Sequence, residues 1–197
     1  MQRIKSLHFI DKEDDRSFQK HFGLSKEDLL DALAGIDTTI QWLKTSIYRN
    51  VLSDVTFFIT DEPINIPGEL AVEDHHRFKP VIYLNLMAIA EDYKNREYKL
   101  DMKQTDVSCT SYAAFVCLHE VGHYVHGLIG GNGKNKRERL FDYLYRGDYY
   151  YQRFLATMTH GDSSQEKKKY RNIPHEKAAD EFARQCVALM RTEGYIS

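Results

Sequence analysis

From Ser111 to Gly127 the chain carries the pattern that most restricts its fold. Tyr112, Ala113, Ala114, Phe115, Val116, Cys117 and Leu118 leave no polar face, so this segment reads as a helix buried on most sides. Into that apolar helix the sequence sets His119, Glu120 and His123. Ionisable groups are expensive to bury unless they are paired or bound to a metal, so any fold that buries this helix must bring partners to it. Residues four apart on a helix lie about 40° apart around the axis and about 6 Å along it. His119 and His123 can therefore converge on one zinc ion at about 2.0–2.1 Å. Glu120 is rotated about 100° from His119 and is placed for a water rather than for the metal. The competing reading is a pair of hydrogen-bonded structural histidines beside a surface glutamate, and the apolar surroundings argue against it.

A catalytic zinc takes three protein ligands and keeps one position open. The third ligand is expected in His175-Glu176-Lys177-Ala178-Ala179-Asp180, just inside a helix that Pro174 opens and that runs to about Arg191. Glu176 near the helix start can point its carboxylate at the metal. Asp180, one turn on, is placed to accept a hydrogen bond from a ligand histidine and fix its tautomer. Ala179 and Ala183 are small enough to let the two helices approach closely. The expected metal set is thus His119, His123 and Glu176 holding Zn2+, with Glu120 as general base. His126, His160, Tyr170 and His175 are further candidates for oxyanion or substrate contacts, as are Tyr149, Tyr150 and Tyr151. His126 could ligate only with distorted geometry.

H-E-x-x-H followed downstream by E-x-x-A-D resembles the glutamate-zincin (gluzincin) metallopeptidases. His119-Glu120-Val121-Gly122-His123-Tyr124-Val125-His126, with Glu176-Lys177-Ala178-Ala179-Asp180-Glu181-Phe182-Ala183, is most similar to the ImmA/IrrE-like peptidases. The resemblance covers about 112–127 and 174–190. It implies an α+β, zincin-like core: a small mixed sheet packed on the H-E-x-x-H helix and on a C-terminal glutamate-bearing helix. It also implies a zinc-dependent endopeptidase acting on a protein or peptide substrate. The chain departs from that family in the long interval between His123 and Glu176, in lacking a helix-turn-helix module, and in its first 50 residues.

The rest of the chain organises around these motifs. The first twenty residues are highly charged and carry little structural signal. Ser25 and Asp28 then resemble a capping box, and Leu29, Leu33, Ile36, Ile40, Leu43 and Ile47 form one apolar stripe on a helix of roughly 20 residues. Val55–Thr60 and Pro80–Leu86 read as strands, with Ile64–Ile66 as a short edge and 73–77 as a polar loop. Val81–Leu86 is the expected sheet edge for an extended substrate. Residues 1–50 are expected as an N-terminal helical extension packed on a core of 51–197, in one domain with an insert at about 128–172. That insert is basic and then aromatic, with a helix at about 137–157, and reads as a charged surface or lid.

With 29 acidic and 27 basic residues the net charge is -2, which gives no global reason to bind nucleic acid. Cys109, Cys117 and Cys186 show no C-x-x-C spacing and read as reduced thiols. Neither a signal-like N-terminus nor a stretch apolar enough to span a bilayer is visible, so a cytoplasmic location is expected. Two other functional readings fit the same residues. One is a zinc-binding sensor or scaffold with little turnover, and the other is a metal-free helical interaction protein.

Overall fold

The computed structural model describes residues 1–12, 14–73, 78–159, 161 and 163–197. Its architecture is α+β, a small mixed sheet laid against helices. The strands are β1 (Gln2–Ser6), β2 (Thr56–Thr60), β3 (Gly68–Glu73) and β4 (Lys79–Asn85), in the order β1-β2-β4-β3. β1, β2 and β4 run parallel, whereas β3 is antiparallel to β4, with Leu70 opposite Ile82.

Around the sheet lie α1 (Phe9–Lys12), α2 (Asp15–Phe22), α3 (Lys26–Thr45), α4 (Leu86–Lys94) and α5 (Tyr98–Asp101). They are followed by α6 (Cys109–Gly130), α7 (Lys136–Thr157), α8 (Ser164–Arg171) and α9 (Pro174–Thr192). None of these is long and apolar enough to cross a membrane among the described residues.

α6 is the centre of the core. It is buried from Cys109 to Val125 almost without interruption, as an all-round apolar helix must be. α3 packs along it through the predicted stripe, with Leu29, Ile36, Ile40 and Leu43 fully covered, while Leu33 is half-buried and Ala32, outside that stripe, is covered in addition. The Ser25–Asp28 capping box forms in both directions and fixes where α3 begins. Its end differs from the expectation. Ser46 caps the helix, and Ile47, the last member of the stripe, is 87% exposed beyond it.

Several strand assignments change. Residues 2–6 form a sheet-edge strand rather than part of a helical extension, and Arg3 and Lys5 reach Asp37 of α3 at 2.6 and 2.7 Å. Ile64–Ile66 is not a strand; the edge beyond β4 is β3. β4 is therefore internal, between β2 and β3, and Val81–Leu86 presents no free edge. Asn85 ends that strand by capping α4, accepting from Met87 and Ala88 N–H, a boundary that the sequence reading ran past. Its Nδ2 donates to the Glu62 and Ile64 carbonyls, so the same side chain shapes the segment leading into β3. Asp61, fully buried, accepts three backbone N–H bonds from His8, Phe9 and Ile10 at 2.8 Å each. That hydrogen bonding makes a buried carboxylate tolerable and ties the end of β2 to the turn after β1.

α3 and α6 touch at Gly35, where an added Cβ would lie 2.2 Å from the Thr110 carbonyl oxygen. In an exposed helix Gly→Ala gains about 0.8–1 kcal/mol, whereas overpacking a tight core costs about 1–3 kcal/mol. Against a backbone oxygen the second effect wins. Gly35→Ala should lower the unfolding free energy by about 1–2 kcal/mol in urea denaturation. A variant as stable as the parent would show that the two helices can separate freely at this point.

Candidate metal centre

The close approach of α6 and α9 builds the site. At Gly122 a Cβ would sit 3.1 Å from Ala179 Cα and 3.2 Å from its carbonyl oxygen, so the two backbones are nearly in contact. This brings the α6 face carrying His119 and His123 against the first turn of α9, where Glu176 lies. A carboxylate is favoured there by the positive end of the helix dipole. Pro174 occupies the first helical turn, where its missing N–H has no intrahelical partner to lose.

Three ligand-type side chains converge. His119 Nε2 lies 3.0 Å from His123 Nε2 and 3.3 Å from Glu176 Oε2, and His123 Nε2 lies 3.6 Å from Glu176 Oε1. Tetrahedral ligands held at about 2.0–2.1 Å from zinc stand about 3.3–3.4 Å from one another, so the donor set has the size of one such shell. The outward nitrogens are already engaged. His119 Nδ1 donates to Asp180 Oδ1 at 2.9 Å, and His123 Nδ1 pairs with the Tyr143 hydroxyl at 3.1 Å. Both Nε2 atoms are therefore the inward ones. Glu176 Oε2 is buried and, although 3.3 Å from His119 Nε2, meets no donor with hydrogen-bond geometry. Two imidazoles, a carboxylate and an orphaned buried oxygen around one point suit a divalent cation of zinc's type.

The electrostatics agree. Burial opposes a charge on His119, yet Asp180 and Glu176 outweigh it and raise its pKa to about 9. Burial, aided by His119, pushes His123 down to about 3. Glu176 is held at about 2, because the two histidines overcome the effect of burial. The same negative potential that holds a proton at this point would hold a cation. Glu120 is also buried, which lifts its pKa to about 7, with Glu176 adding to the rise and His119 opposing it. A carboxylate poised near neutrality suits a general base. It makes no hydrogen bond to any described residue and opens into the cleft. Opposite it, β3 passes close enough that a Cβ at Gly68 would lie 2.9 Å from Glu120 Cγ.

Two residues missed in the sequence complete the surroundings. Tyr143, buried on α7, holds His123. Arg171, at the end of α8, lies 3.2 Å from Asp180 Oδ1 and 2.9 Å from Asp101 Oδ2, and Tyr112 donates to the same Asp101 oxygen at 3.0 Å. The Arg171 pairing to Asp180 steadies the carboxylate that orients His119. A basic residue some nine positions before Asp180, on another helix, carries no periodic signal, and a tyrosine among thirteen carries none either.

Two cavities flank the cluster, of about 290 and 270 Å³, and both are bounded by Gly68, His119, Glu120, Tyr170 and Glu176. Tyr170 is thus at the cleft, and burial raises its phenol pKa, with Glu176 adding to the rise, so it remains a donor. His175 lines the second cavity, its ring 4.3 Å from that of Tyr143 and its buried Nδ1 without a partner. Tyr151 lines that cavity too, Tyr150 packs beside His175, and Tyr149 is exposed. His126 lies outside both cavities, its ring against Phe182 of α9. His160 lies outside the described residues.

Outer partners of metal-bound histidines contribute about 10–100-fold to metal affinity. Tyr143→Phe should weaken zinc binding by about that factor in competition with a chromophoric chelator, while circular dichroism still reports a folded protein. Equal affinity would reduce Tyr143 to a packing residue.

Compared with known proteins, the chain matches no family model, no curated protein and no solved structure.

Proposed function

We propose that this protein is a zinc-dependent peptidase with a zincin-like core, hydrolysing peptide bonds of a protein or peptide substrate. One observation carries the reading: the ligand-type atoms of His119, His123 and Glu176 stand 3.0–3.6 Å apart, beside the buried Glu120 carboxylate, which makes no hydrogen bond to any described residue. The motif spacing shared with gluzincins supports the same conclusion.

His119, His123 and Glu176 would hold the ion, leaving the cleft side open. Zinc bound there would supply a Lewis acid for a peptide carbonyl and lower the pKa of water. Glu120, near neutrality in its buried setting, accepts the proton of the attacking water and returns it to the departing amine. Tyr170, a protonated donor at the cleft, is positioned among the groups that would meet the carbonyl oxygen. An extended substrate would lie along β3, the free edge next to Glu120, by strand addition. The absence of a side chain at Gly68 leaves room for Glu120 beside that edge.

Glu120→Gln should retain one zinc per chain, measured by mass spectrometry of the metal, while hydrolysis of a peptide library falls about 10²–10⁴-fold. Glu176→Ala should lose the zinc itself. Unchanged turnover in Glu120→Gln would sink the mechanism. A parent protein that holds zinc but cleaves no peptide would favour the sensor or scaffold reading, and one that holds no metal would favour the interaction protein.

A further inference from the structure

The two cavities beside the candidate centre differ in chemistry. The second is bounded by Tyr143, Leu144, Tyr151, Ile173 and His175, with the carboxylates of Glu69 and Asp148 also at its wall. The first is bounded by Asp92, Glu97, Asp101, Lys167 and Arg171. Its two cations are already committed: Lys167 lies 2.7 Å from Glu97, and Arg171 lies 2.9 Å from Asp101 while also pairing with Asp180. Asp92 is left, and its carboxylate makes no hydrogen bond or ion pair with any described residue. Glu120, nine-tenths buried and likewise unpartnered, opens into the same space.

We infer that this first cavity is the specificity pocket for a basic residue, with Asp92 receiving the lysine or arginine side chain that neighbours the scissile bond of the substrate. The proposal rests on the hydrolytic reading for the identity of the ligand as a substrate residue. At about 290 Å³ the cavity is at the lower limit of small-molecule sites, about 300 Å³, so it suits one side chain rather than a large cofactor. Because the cavity shares Glu120 and His119 with the metal cluster, the residue it accepts must sit next to the bond being cut.

Two features set Asp92 apart from the paired carboxylates around it. It lies in the last turn of α4, where the helix dipole favours cations over carboxylates. Burial, then the charges of Asp101 and Glu97, push its pKa up to about 6 against the opposing pull of Lys167 and Arg171. A carboxylate whose ionised form is disfavoured in the fold loses stability as pH rises from its unfolded to its folded pKa, so at neutral pH, above both, the ionised group carries the full cost. A substrate cation would relieve that tension. Strained groups of this kind collect at functional sites.

The test uses the zinc-loaded protein and a proteome-derived peptide library. The parent should cleave peptides with lysine or arginine enriched at one fixed position flanking the cut. Asp92→Asn should lower at least tenfold the ratio of kcat/KM between an arginine peptide and its norleucine counterpart, and should raise the thermal midpoint. Asp92→Lys should turn the preference toward glutamate. Cleavage without a basic preference, or an unchanged ratio in Asp92→Asn, overturns the pocket and leaves the peptidase intact. Calorimetry with arginine amide decides the pocket independently of turnover. Binding to the parent that is at least tenfold weaker in Asp92→Asn and with norleucine amide upholds it, even if no peptide is cut and the hydrolytic reading fails. Equal binding in these comparisons overturns it.

Discussion

Two imidazoles and a carboxylate inside an apolar helix set the terms for everything packed around α6. Leaving a buried charge without its partner costs about 3–5 kcal/mol, against a total stability of about 5–15 kcal/mol for a domain. The fold meets this demand by a chain of compensation: His119 to Asp180, Asp180 to Arg171, Arg171 to Asp101, and Asp101 to Tyr112. Each link is a buried or half-buried group that would be a liability alone. The chain joins α6, α9, α8, α5 and back to α6, so the charge network and the tertiary structure cannot form separately.

What the sequence made legible was local. The H-E-x-x-H spacing, the Glu176–Asp180 step, the α3 stripe and its capping box all rest on the helical period, and a period can be read along one segment. What escaped depended on distant partners. β1 is Gln-Arg-Ile-Lys-Ser, a charged edge strand that becomes a strand because β2 accepts it and Asp37 neutralises Arg3 and Lys5. The order of strands in a sheet is likewise non-local, which is why β4, the most apolar run, read as an edge and proved internal. Ile47 fits the apolar period, yet Ser46 stops the helix first, so a cap overrode the pattern. Tyr143 and Arg171 became visible as parts of the site only once α7 and α8 were placed.

The interval between His123 and Glu176 had the appearance of an insert, and its position in the fold gives it a different standing. α7 supplies Tyr143 to His123, and α8 supplies Tyr170 and Arg171 to the cleft and to Asp180. Only Leu140 and Tyr143 of α7 are buried, and the rest of that helix is half-buried or open to solvent. A segment with only two buried side chains, one of them bonded to His123, links the surface to the centre. Displacement of α7 would reach His123 before it reached the core.

The two cavities of the cleft meet at Gly68, His119, Glu120, Tyr170 and Glu176 and differ in the side chains beyond them. β3 borders both cavities through Gly68, and Glu69 and Leu70 continue along the second, so an extended chain added to this edge would pass first one cavity and then the other. Successive side chains of a strand point to opposite faces, so only alternate residues of that chain could enter the cavities, one on each side of Glu120. Backbone hydrogen bonds to β3 would hold any sequence equally well. On the proposed hydrolytic reading, discrimination among sequences would fall to the two cavities, the first holding Asp92, Lys167 and Arg171 and the second Tyr143, Tyr151 and His175. On that reading the free strand edge would supply grip, and the cavities would supply register.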